Sequence, residues 1–434
     1  MKKPCKRRSM WARALGAGAM LSLSAVATAG LLPSMNEKPM QPWTMFWGTE
    51  KPQQHPTMLL FGAVQPGYSY IQSNSDNTAA AVTTGSAQLK LYRARLGIRG
   101  SIGPNIDYLF LSEFANNAVN PNNGVIGHTH VLNASITLNY IPGVRIGVGL
   151  LYAPFAEEGM TATTVLPWIN ASPATYNIAY NEFTATPGYN GIGGPGSGLF
   201  NADTEMGVMA FDGVTHGRVG LNYAVGFFNG TGLTQTQSSM GHPDDVLVHM
   251  GANYGPLGTA VGYEEGRQVI GPDGPFTPEA LPGASYQQQK YAIDLRYGNY
   301  VKDPLWLWYE YQHANDTQQP GVAGPGLARG WFAAGGYRPV KHIMAVFRYS
   351  TYNSENVEPV AVTTNGPALA PHYTGAVGLS TSLDQESLIG VYLARRGVRY
   401  YLEWDHTTYN NTGAPTDNAV SVMVSMPFGD RILH

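Results

Sequence analysis

Apolar and polar residues alternate with a period of two along several segments of this 434-residue chain, and this pattern restricts the fold more than any other feature. Within Leu132–Tyr140 every second residue is apolar, and the residues between them are Asn, Ser, Thr and Asn. The pattern recurs in segments that begin near Val219, Tyr291, Val398 and Val420. Because successive side chains of a β-strand point to opposite faces, each segment predicts a strand with one apolar and one polar face.

The connections between these segments are of two kinds. The short ones contain Gly, Pro or both and lie at Ile102–Asn105, Ile141–Val144, Gly255–Gly258, Arg338–His342 and Ala394–Val398. The long ones are polar and Gly-rich and lie roughly at 115–129, 153–203, 229–245, 266–287, 314–328 and 352–371. A soluble β-sandwich would share the strand pattern, but alternating tight turns and long loops are typical of an outer-membrane barrel.

We therefore predict an all-β protein, a transmembrane antiparallel β-barrel with short periplasmic turns and long extracellular loops. The sequence contains 17 candidate strands. A barrel of this kind needs an even number, so we expect 16 strands, with 18 as the alternative. Beyond residue 30 there is no apolar run of 18 residues, so only a closed sheet could satisfy the backbone within hydrocarbon. The expected location is the outer membrane of a Gram-negative bacterium, in contact with its lipid.

The first residues are typical of an export signal rather than of the fold. A basic stretch precedes an apolar run from about Leu15 to Val26, and an A-x-A pair follows it, so we predict a signal peptide at 1–29. Residues 30–56 are expected to form a periplasmic lead-in, and 57–434 the barrel. Cys5, the only cysteine, lies in the signal peptide. After cleavage 20 basic and 29 acidic residues remain, a formal charge of −9.

Aromatic residues near the predicted strand ends suit the two girdles that flank the apolar band of a membrane barrel. The expected members are Tyr140, Tyr152, Trp306, Tyr349, Trp404 and Tyr409.

Several stretches resemble the phosphate-selective porin O and P family of outer-membrane channels. They are Leu91–Gly100, with its repeated arginines, Gly147–Phe155, Tyr223–Gly232 and the segment from Gly336 to Tyr349. The resemblance implies a trimeric 16-stranded porin whose polar lumen passes solutes, with anions such as phosphate as one option.

The arginine-rich stretch predicts basic side chains on the inner wall. Arg93, Arg95 and Arg99 alternate with apolar residues, and an arginine facing lipid at the midplane would cost about 2–4 kcal/mol. Leu89 and Leu91 share the parity of these arginines, so the face must change near Tyr92, as it does at a β-bulge. The further pore-lining candidates are Lys90, Arg218, Lys290, Arg296, Arg348 and Arg399.

Two roles remain open for these basic side chains. They could attract anions over a long range without binding them tightly. Alternatively, they could pair with acids of the lumen, such as Asp294 and Glu403, and stiffen the wall.

The connection 153–203 is the candidate constriction loop, because in general porins a loop at this place folds into the pore. There is no Lys or Arg between Arg145 and Arg218, while Glu157, Glu158, Glu182 and Asp203 lie in or beside the connection. A constriction built from it would be neutral to acidic and would favour cations or uncharged solutes, against the phosphate preference of the resembled family. The other possibility is a solvated loop that covers the mouth.

The predicted function is a porin, a water-filled channel for passive diffusion of small hydrophilic solutes and ions. The alternative is a structural barrel that sheaths or anchors a partner, for example an electron-transfer protein. No motif of a catalytic triad, metal site, haem attachment or phosphate-binding loop occurs, so we expect neither enzymatic activity nor a cofactor. Low charge (13%) without a basic cluster beyond the leader disfavours nucleic-acid binding.

Overall fold

Strands account for nearly all of the structure, a computed structural model that describes residues 56–75, 82–115, 130–161, 166–179, 204–228, 245–269, 285–300, 303–317, 326–340, 342–355, 381–395, 398–409 and 416–428. The strands are β1 (Leu59–Ser75), β2 (Val82–Gly103), β3 (Ile106–Glu113), β4 (His130–Ile141), β5 (Val144–Tyr152), β6 (Thr204–His216), β7 (Val219–Phe228), β8 (Asp245–Tyr254), β9 (Leu257–Val269), β10 (Ser285–Tyr297), β11 (Leu305–Thr317), β12 (Gly326–Val340), β13 (Ile343–Glu355), β14 (Thr381–Arg395), β15 (Val398–Tyr409) and β16 (Thr416–Phe428).

Each strand pairs with its neighbours in sequence, and β1 pairs antiparallel with β16, so the sheet closes on itself. Within the described residues the barrel therefore has the 16 strands that we predicted, not 18. In such a sheet the backbone N–H and C=O groups of every strand are hydrogen-bonded to the strands on both sides, which is the condition for a sheet to lie in hydrocarbon.

The connections alternate in length around the whole barrel. One set of intervals has two residues each, at 104–105, 142–143, 217–218, 255–256, 341–342 and 396–397, except for the seven residues of 298–304. These alternate along the chain with a second set of six residues or more, at 76–81, 114–129, 153–203, 229–244, 270–284, 318–325, 356–380 and 410–415. One rim of the barrel thus carries the short connections and is called the turn end. The opposite rim carries the long connections and is called the loop end.

The two faces of the sheet differ as the alternation predicts. On β10, Ile293 and Leu295 are exposed on the outer face, whereas Asp294 between them is 2% exposed and faces the interior. On β15, Tyr400 and Leu402 are exposed outside in the same way. Exposed Leu, Val, Ile, Phe and Tyr side chains occur on the outer face of all the strands, so the exterior is an apolar surface of the kind that a bilayer covers.

The change of face near Tyr92 is confirmed. In the pairing of β1 with β2, Gln65 lies opposite Arg93 and Pro66 lies opposite Leu91, so Tyr92 is the extra residue of a bulge. Leu91 is exposed on the outside, and Arg95 beyond the bulge is buried inside. One extra residue shifts the alternation by one position, which keeps the leucines in lipid and the arginines out of it.

The girdle prediction is only partly correct. Tyr140 and Trp404 are exposed on the outer face. Trp306 and Tyr152 do not belong to a girdle, because they are 1% and 4% exposed. Trp306 has the parity of Glu310 on β11, which places its ring inside the barrel. There Trp168 of the connection 153–203 packs against it. Tyr349 is half-buried, and the side chain of Tyr409 lies outside the described residues.

The described part of the connection 153–203 lies inside the barrel. This part, residues 153–161 and 166–179, is called the inner loop; it contains helix α1 (Glu157–Met160) and a π-helical turn (Thr175–Ala179). Its residues pack with inward-facing side chains of β6–β13, β15, β16 and β2. Of the two positions we considered for this connection, its described part therefore takes the one inside the pore.

Residues 1–55, with the predicted signal peptide and nearly all of the lead-in, lie outside the described residues. In the part of the chain that is described, no helix has the length and apolar character needed to cross a membrane.

Candidate pore constriction

The inner loop lies directly on the wall because two strands offer glycine where it passes. A Cβ added to Gly262 on β9 would overlap the carbonyl oxygen of Phe155, and a Cβ on Gly330 of β12 would lie 2.6 Å from the Cβ of Ala174. Any larger residue at either position would push the loop backbone away from the sheet. The glycines therefore set the distance between the loop and the wall at both of its ends.

Glu157, the first residue of α1, is held by the wall of β8 and β10. One carboxylate oxygen lies 3.0 Å from a guanidinium nitrogen of Arg296 and 3.6 Å from Nε2 of His249, and Glu157 is 1% exposed. Burial disfavours its charged form, but Arg296 and His249 outweigh that cost and hold the pKa of Glu157 below its ordinary value. The carboxylate therefore acts as an ionised anchor.

Glu158, its neighbour, points toward β11 and β13. Its backbone N–H donates to the carboxylate of Glu310 at 2.9 Å, and its own carboxylate accepts from the hydroxyl of Ser172 at 2.6 Å. A guanidinium nitrogen of Arg348 lies 3.6 Å away, and both Glu158 and Arg348 are 0% exposed. Burial raises the pKa of Glu158, because desolvation outweighs Arg348 and the hydrogen bonds from Ser172 and Thr175.

The backbone of the inner loop is clamped from two sides at residues 166–170. On one side, Arg93 of β2 donates to the carbonyl of Ile169 at 3.2 Å, and the N–H of Ile169 donates to Glu403 of β15 at 2.7 Å. The hydroxyl of Tyr401 donates to the carbonyl of Leu166 at 3.1 Å. On the other side, Arg348 of β13 donates to the carbonyl of Asn170 at 2.8 Å. The loop also lies on β9 at Gly262, seven strands away from β2 in the sixteen-stranded barrel, so it crosses the interior and narrows it.

An aromatic cluster on the inner wall receives the side chain of Trp168. Its ring centroid lies 5.6 Å from that of Trp308, 6.1 Å from Trp306 and 5.8 Å from Phe332, and the guanidinium of Arg348 lies 4.9 Å from its centroid. Sequence reasoning missed this cluster. The signal was nevertheless present, since the two tryptophans of β11 alternate in phase with Glu310 and Gln312 and therefore belong to the inner face.

Eight of the nine predicted pore-lining basic residues face the interior. Five of them contact wall residues or are buried against the wall: Lys90 lies over the ring of Tyr92, Arg95 pairs with Glu113 at 2.8 Å, Arg99 lies over Phe61, Lys290 pairs with Glu264 at 2.8 Å, and Arg399 is 5% exposed. The other three, Arg93, Arg296 and Arg348, hold the inner loop. Wall cations are thus engaged with acids, rings and backbone rather than presented as a bare ladder.

Arg218 is the exception among these predictions. It lies exposed in the two-residue turn between β6 and β7, beside Gly217, whose φ of 60° makes the tight turn. A turn residue at the rim has no fixed inner face, so Arg218 does not line the wall. Of the constriction candidates, Glu157 and Glu158 belong to the inner loop, while Glu182 and Asp203 lie outside the described residues.

A closed barrel of sixteen antiparallel strands, apolar outside and polar inside, is a transmembrane barrel of the porin type. Three solved structures show this likeness, each aligned over 86–87% of this chain. They are an anion-selective porin from Comamonas acidovorans (11% identity, 100% of that chain, TM-score 0.56), OmpF of Salmonella typhi in complex with daunomycin (9%, 98%, 0.52) and the outer-membrane channel DcaP of Acinetobacter baumannii (14%, 99%, 0.51). At these identities the likeness shows the fold. No protein-family model and no curated protein matches the sequence.

Proposed function

We propose that this protein is a passive channel of the outer membrane of a Gram-negative bacterium, through which small hydrophilic solutes and ions diffuse. The observation that carries the proposal is the inner loop, a segment held by buried charges within a barrel whose outer face is apolar. Such an arrangement narrows a lumen. The fold likeness to porins supports the same function.

We further propose that the channel has a weak charge preference. The acids of the inner loop suggested cation selectivity, but Glu157 and Glu158 are each paired with a wall arginine. Paired charges act at a distance as dipoles, whose field falls off faster than that of a single charge. The wall cations that suggested anion or phosphate selectivity are engaged in the same way, with Arg95 on Glu113 and Lys290 on Glu264.

The inner loop argues against the alternative, a barrel that sheaths a partner protein. Residues 168–170 contact β11 and β13 on one side and β15 and β2 on the other. A polypeptide threaded through the barrel would have to displace this loop and its buried ion pairs. A homotrimer and membership of the phosphate-selective porin O and P family remain proposals that rest on the sequence resemblance.

Planar-bilayer recordings on the purified protein test both parts of the proposal. We expect ohmic single-channel steps, and under a KCl gradient a reversal potential close to zero. Absence of conductance from correctly folded protein, together with a copurifying protein in the lumen, would favour the sheath. A strong preference for chloride or phosphate would leave the channel standing but would overturn its weak charge preference.

A further inference from the structure

The connection between β10 and β11 differs from the other connections at the turn end. It spans the seven residues 298–304, of which 298–300 and 303–304 are described, whereas each of the others has two residues. Two residues are enough to join neighbouring antiparallel strands. The five additional residues therefore need a physical reason.

The described residues of this connection fold back into the barrel and place Tyr300 there. Gly298 has a φ of 72°, in the left-handed region, and its N–H donates to the carbonyl of Pro256 at 2.8 Å. The carboxylate of Asp303 accepts from the N–H of Asn299 at 2.7 Å, and the N–H of Asp303 donates to the carbonyl of Asn299 at 2.8 Å. Tyr300 between them is 7% exposed, although a tyrosine at the rim would ordinarily lie in the aromatic girdle.

The ring of Tyr300 packs under the aromatic cluster that receives Trp168. It stacks on Trp308 with an interplanar angle of 2° and centroids 6.0 Å apart, and it meets Trp306 edge-on at 5.9 Å. Trp308 and Trp306 are the two rings of β11 that contact Trp168 of the inner loop. Tyr300 also shares one buried apolar cluster with Leu166 and Trp168. Aromatic pairs of this kind stabilise more than their buried area alone accounts for.

Tyr300 lies beside the second anchor of the inner loop as well. Its phenol group interacts electrostatically with Arg296, the wall partner of Glu157, and it lies near Thr161, the residue that follows α1. The hydroxyl of Thr161 donates to the carbonyl of Glu157 at 2.7 Å. One side chain from the turn end therefore reaches both parts of the inner loop, the end of α1 and the aromatic cluster around Trp168.

Arg338, near the turn end of β12, fixes the backbone at Tyr300. A guanidinium nitrogen of Arg338 donates to the carbonyl of Tyr300 at 2.8 Å, and the backbone N–H of Arg338 donates to the carbonyl of Pro304 at 2.7 Å. Tyr300 therefore cannot leave the barrel without breaking a charge-assisted hydrogen bond.

We propose that Tyr300 is a positioning residue of the constriction, through which the connection 298–304 holds the inner loop in place from the turn end. Its ring fills the space next to Trp306 and Trp308, so that these rings keep the orientation that receives Trp168. Trp168 in turn holds the part of the loop that crosses the interior. Tyr300 acts on permeation through the loop and not by contact with a solute. Its effect on permeation rests on the proposed channel function, whereas the positioning itself does not.

Hydrogen exchange of the Ile169 amide in the purified protein tests this role. In Y300A we expect the protection of Ile169 to fall about tenfold or more, as the loss of two aromatic contacts predicts, and the single-channel conductance to rise. Y300F keeps the ring and should retain wild-type protection. The amides of β3 and β4 should keep their protection in Y300A, because a positioning residue does not hold the barrel together. Y254A is the matched control, since it removes an exposed tyrosine from the outer face at the turn end of β8.

Three results would overturn this role: equal protection of Ile169 in wild type and Y300A, an equal loss at Ile169 and at the amides of β3 and β4 in Y300A, or the same loss in Y300F as in Y300A. The first denies the link between Tyr300 and the loop. The second makes Tyr300 a general support of the barrel, and the third assigns the effect to the hydroxyl instead of the ring.

A second variant covers the case in which Y300A does not fold, which heat-modifiable mobility in gels reveals. R338Q releases the carbonyl of Tyr300 and keeps every ring of the cluster, so reduced protection of Ile169 supports the role and wild-type protection contradicts it. Selective loss of Ile169 protection in Y300A supports the role even when wild type passes no current, and a wild type without current counts against the proposed channel alone.

Discussion

Replacing Arg348 with methionine tests whether buried charge holds the inner loop in the barrel. The change removes the guanidinium 3.6 Å from Glu158 and the hydrogen bond to the carbonyl of Asn170, while methionine retains much of the apolar stem. Glu158 is then left buried without its counter-charge. It can respond in two ways, by leaving the wall together with the loop or by taking up a proton.

The cost of protonating Glu158 sets how far R348M loosens the loop and how this loosening depends on pH. Neutralising a carboxyl of ordinary pKa, about 4.3, costs 1.36 kcal/mol per pH unit, or about 3.7 kcal/mol at pH 7 and about 1 kcal/mol at pH 5. Burial already raises the pKa of Glu158 in the closed loop, so the closed form binds the proton more readily than the released form, and closure weakens as pH rises. R348M should therefore loosen the loop at pH 7 by at most about 3.7 kcal/mol, less the part of this cost that wild type already carries through the raised pKa of Glu158, beyond about 1 kcal/mol for the lost hydrogen bond.

Hydrogen exchange of the amides of Ile169 and Ser172 measures this loosening. At pH 7 we expect protection in R348M to fall by at most about 500-fold from the protonation of Glu158 and by about fivefold from the lost hydrogen bond, and conductance to rise as the loop opens. E158Q/R348M should recover the pH-dependent part, because a neutral amide needs no counter-charge. R95M is the matched control, since the partner of Arg95 is Glu113 on β3. Equal protection in R348M and R95M, or a loss independent of pH, would refute the electrostatic anchoring.

Three further changes probe the loop and the outer face. E157Q should loosen the inner loop by about 3 kcal/mol at pH 7. In wild type the loop should loosen as pH falls through the lowered pKa of Glu157, and E157Q should abolish this pH dependence; conductance recorded against pH measures both effects. V261R on the outer face should lower the free energy of unfolding in lipid vesicles by about 2–4 kcal/mol, whereas L257R at the turn end should cost about 0–1 kcal/mol. G262A should push the loop away from the wall into the lumen and lower conductance, whereas G213A, whose Cβ meets atoms only at 3.4 Å or more, should leave conductance unchanged.

The barrel itself could be predicted because its requirements are local. A strand in lipid must be apolar on one face, so the period of two is written into each segment separately, and turn residues separate the segments. Even the bulge at Tyr92 could be located. Leu89 and Leu91 have the same parity as Arg93 and Arg95, and a regular strand would place all four on one face, so the alternation must shift between the leucines and the arginines. The even number that such a barrel needs left 16 or 18 strands open, and the described barrel has 16.

The inner wall was harder to interpret, because polar parity alone does not say what covers a residue. Trp306 was expected in the girdle from its place near a strand end, although its parity with Glu310 indicated the interior. Arg218 was expected on the wall, although it precedes the first residue of β7 and belongs to a turn. For Trp306 the phase of the strand was the better guide. For Arg218 the phase misled, because it matches the inward Gly220 and Asn222, and the position in the turn decides.

The contacts of the inner loop could not be predicted, because they join residues far apart in sequence. Glu158 meets Arg348, and Ile169 meets Glu403, across 190 and 234 positions respectively. No local periodicity encodes such pairs; they appear only when the barrel closes and brings β13 and β15 to the loop.

The pairing of acids in the inner loop with arginines of the wall limits what the sequence alone can say about ion selectivity. The acids of the connection 153–203, taken by themselves, indicate a cation-selective constriction, and the arginines of the wall, taken by themselves, indicate an anion-selective one. The structure brings members of the two sets together, Glu157 with Arg296 and Glu158 with Arg348, so that each removes the other from the field that a solute meets. The charge that decides selectivity is the charge left after pairing. A variant that breaks one pair therefore reveals more about permeation than a count of charged residues.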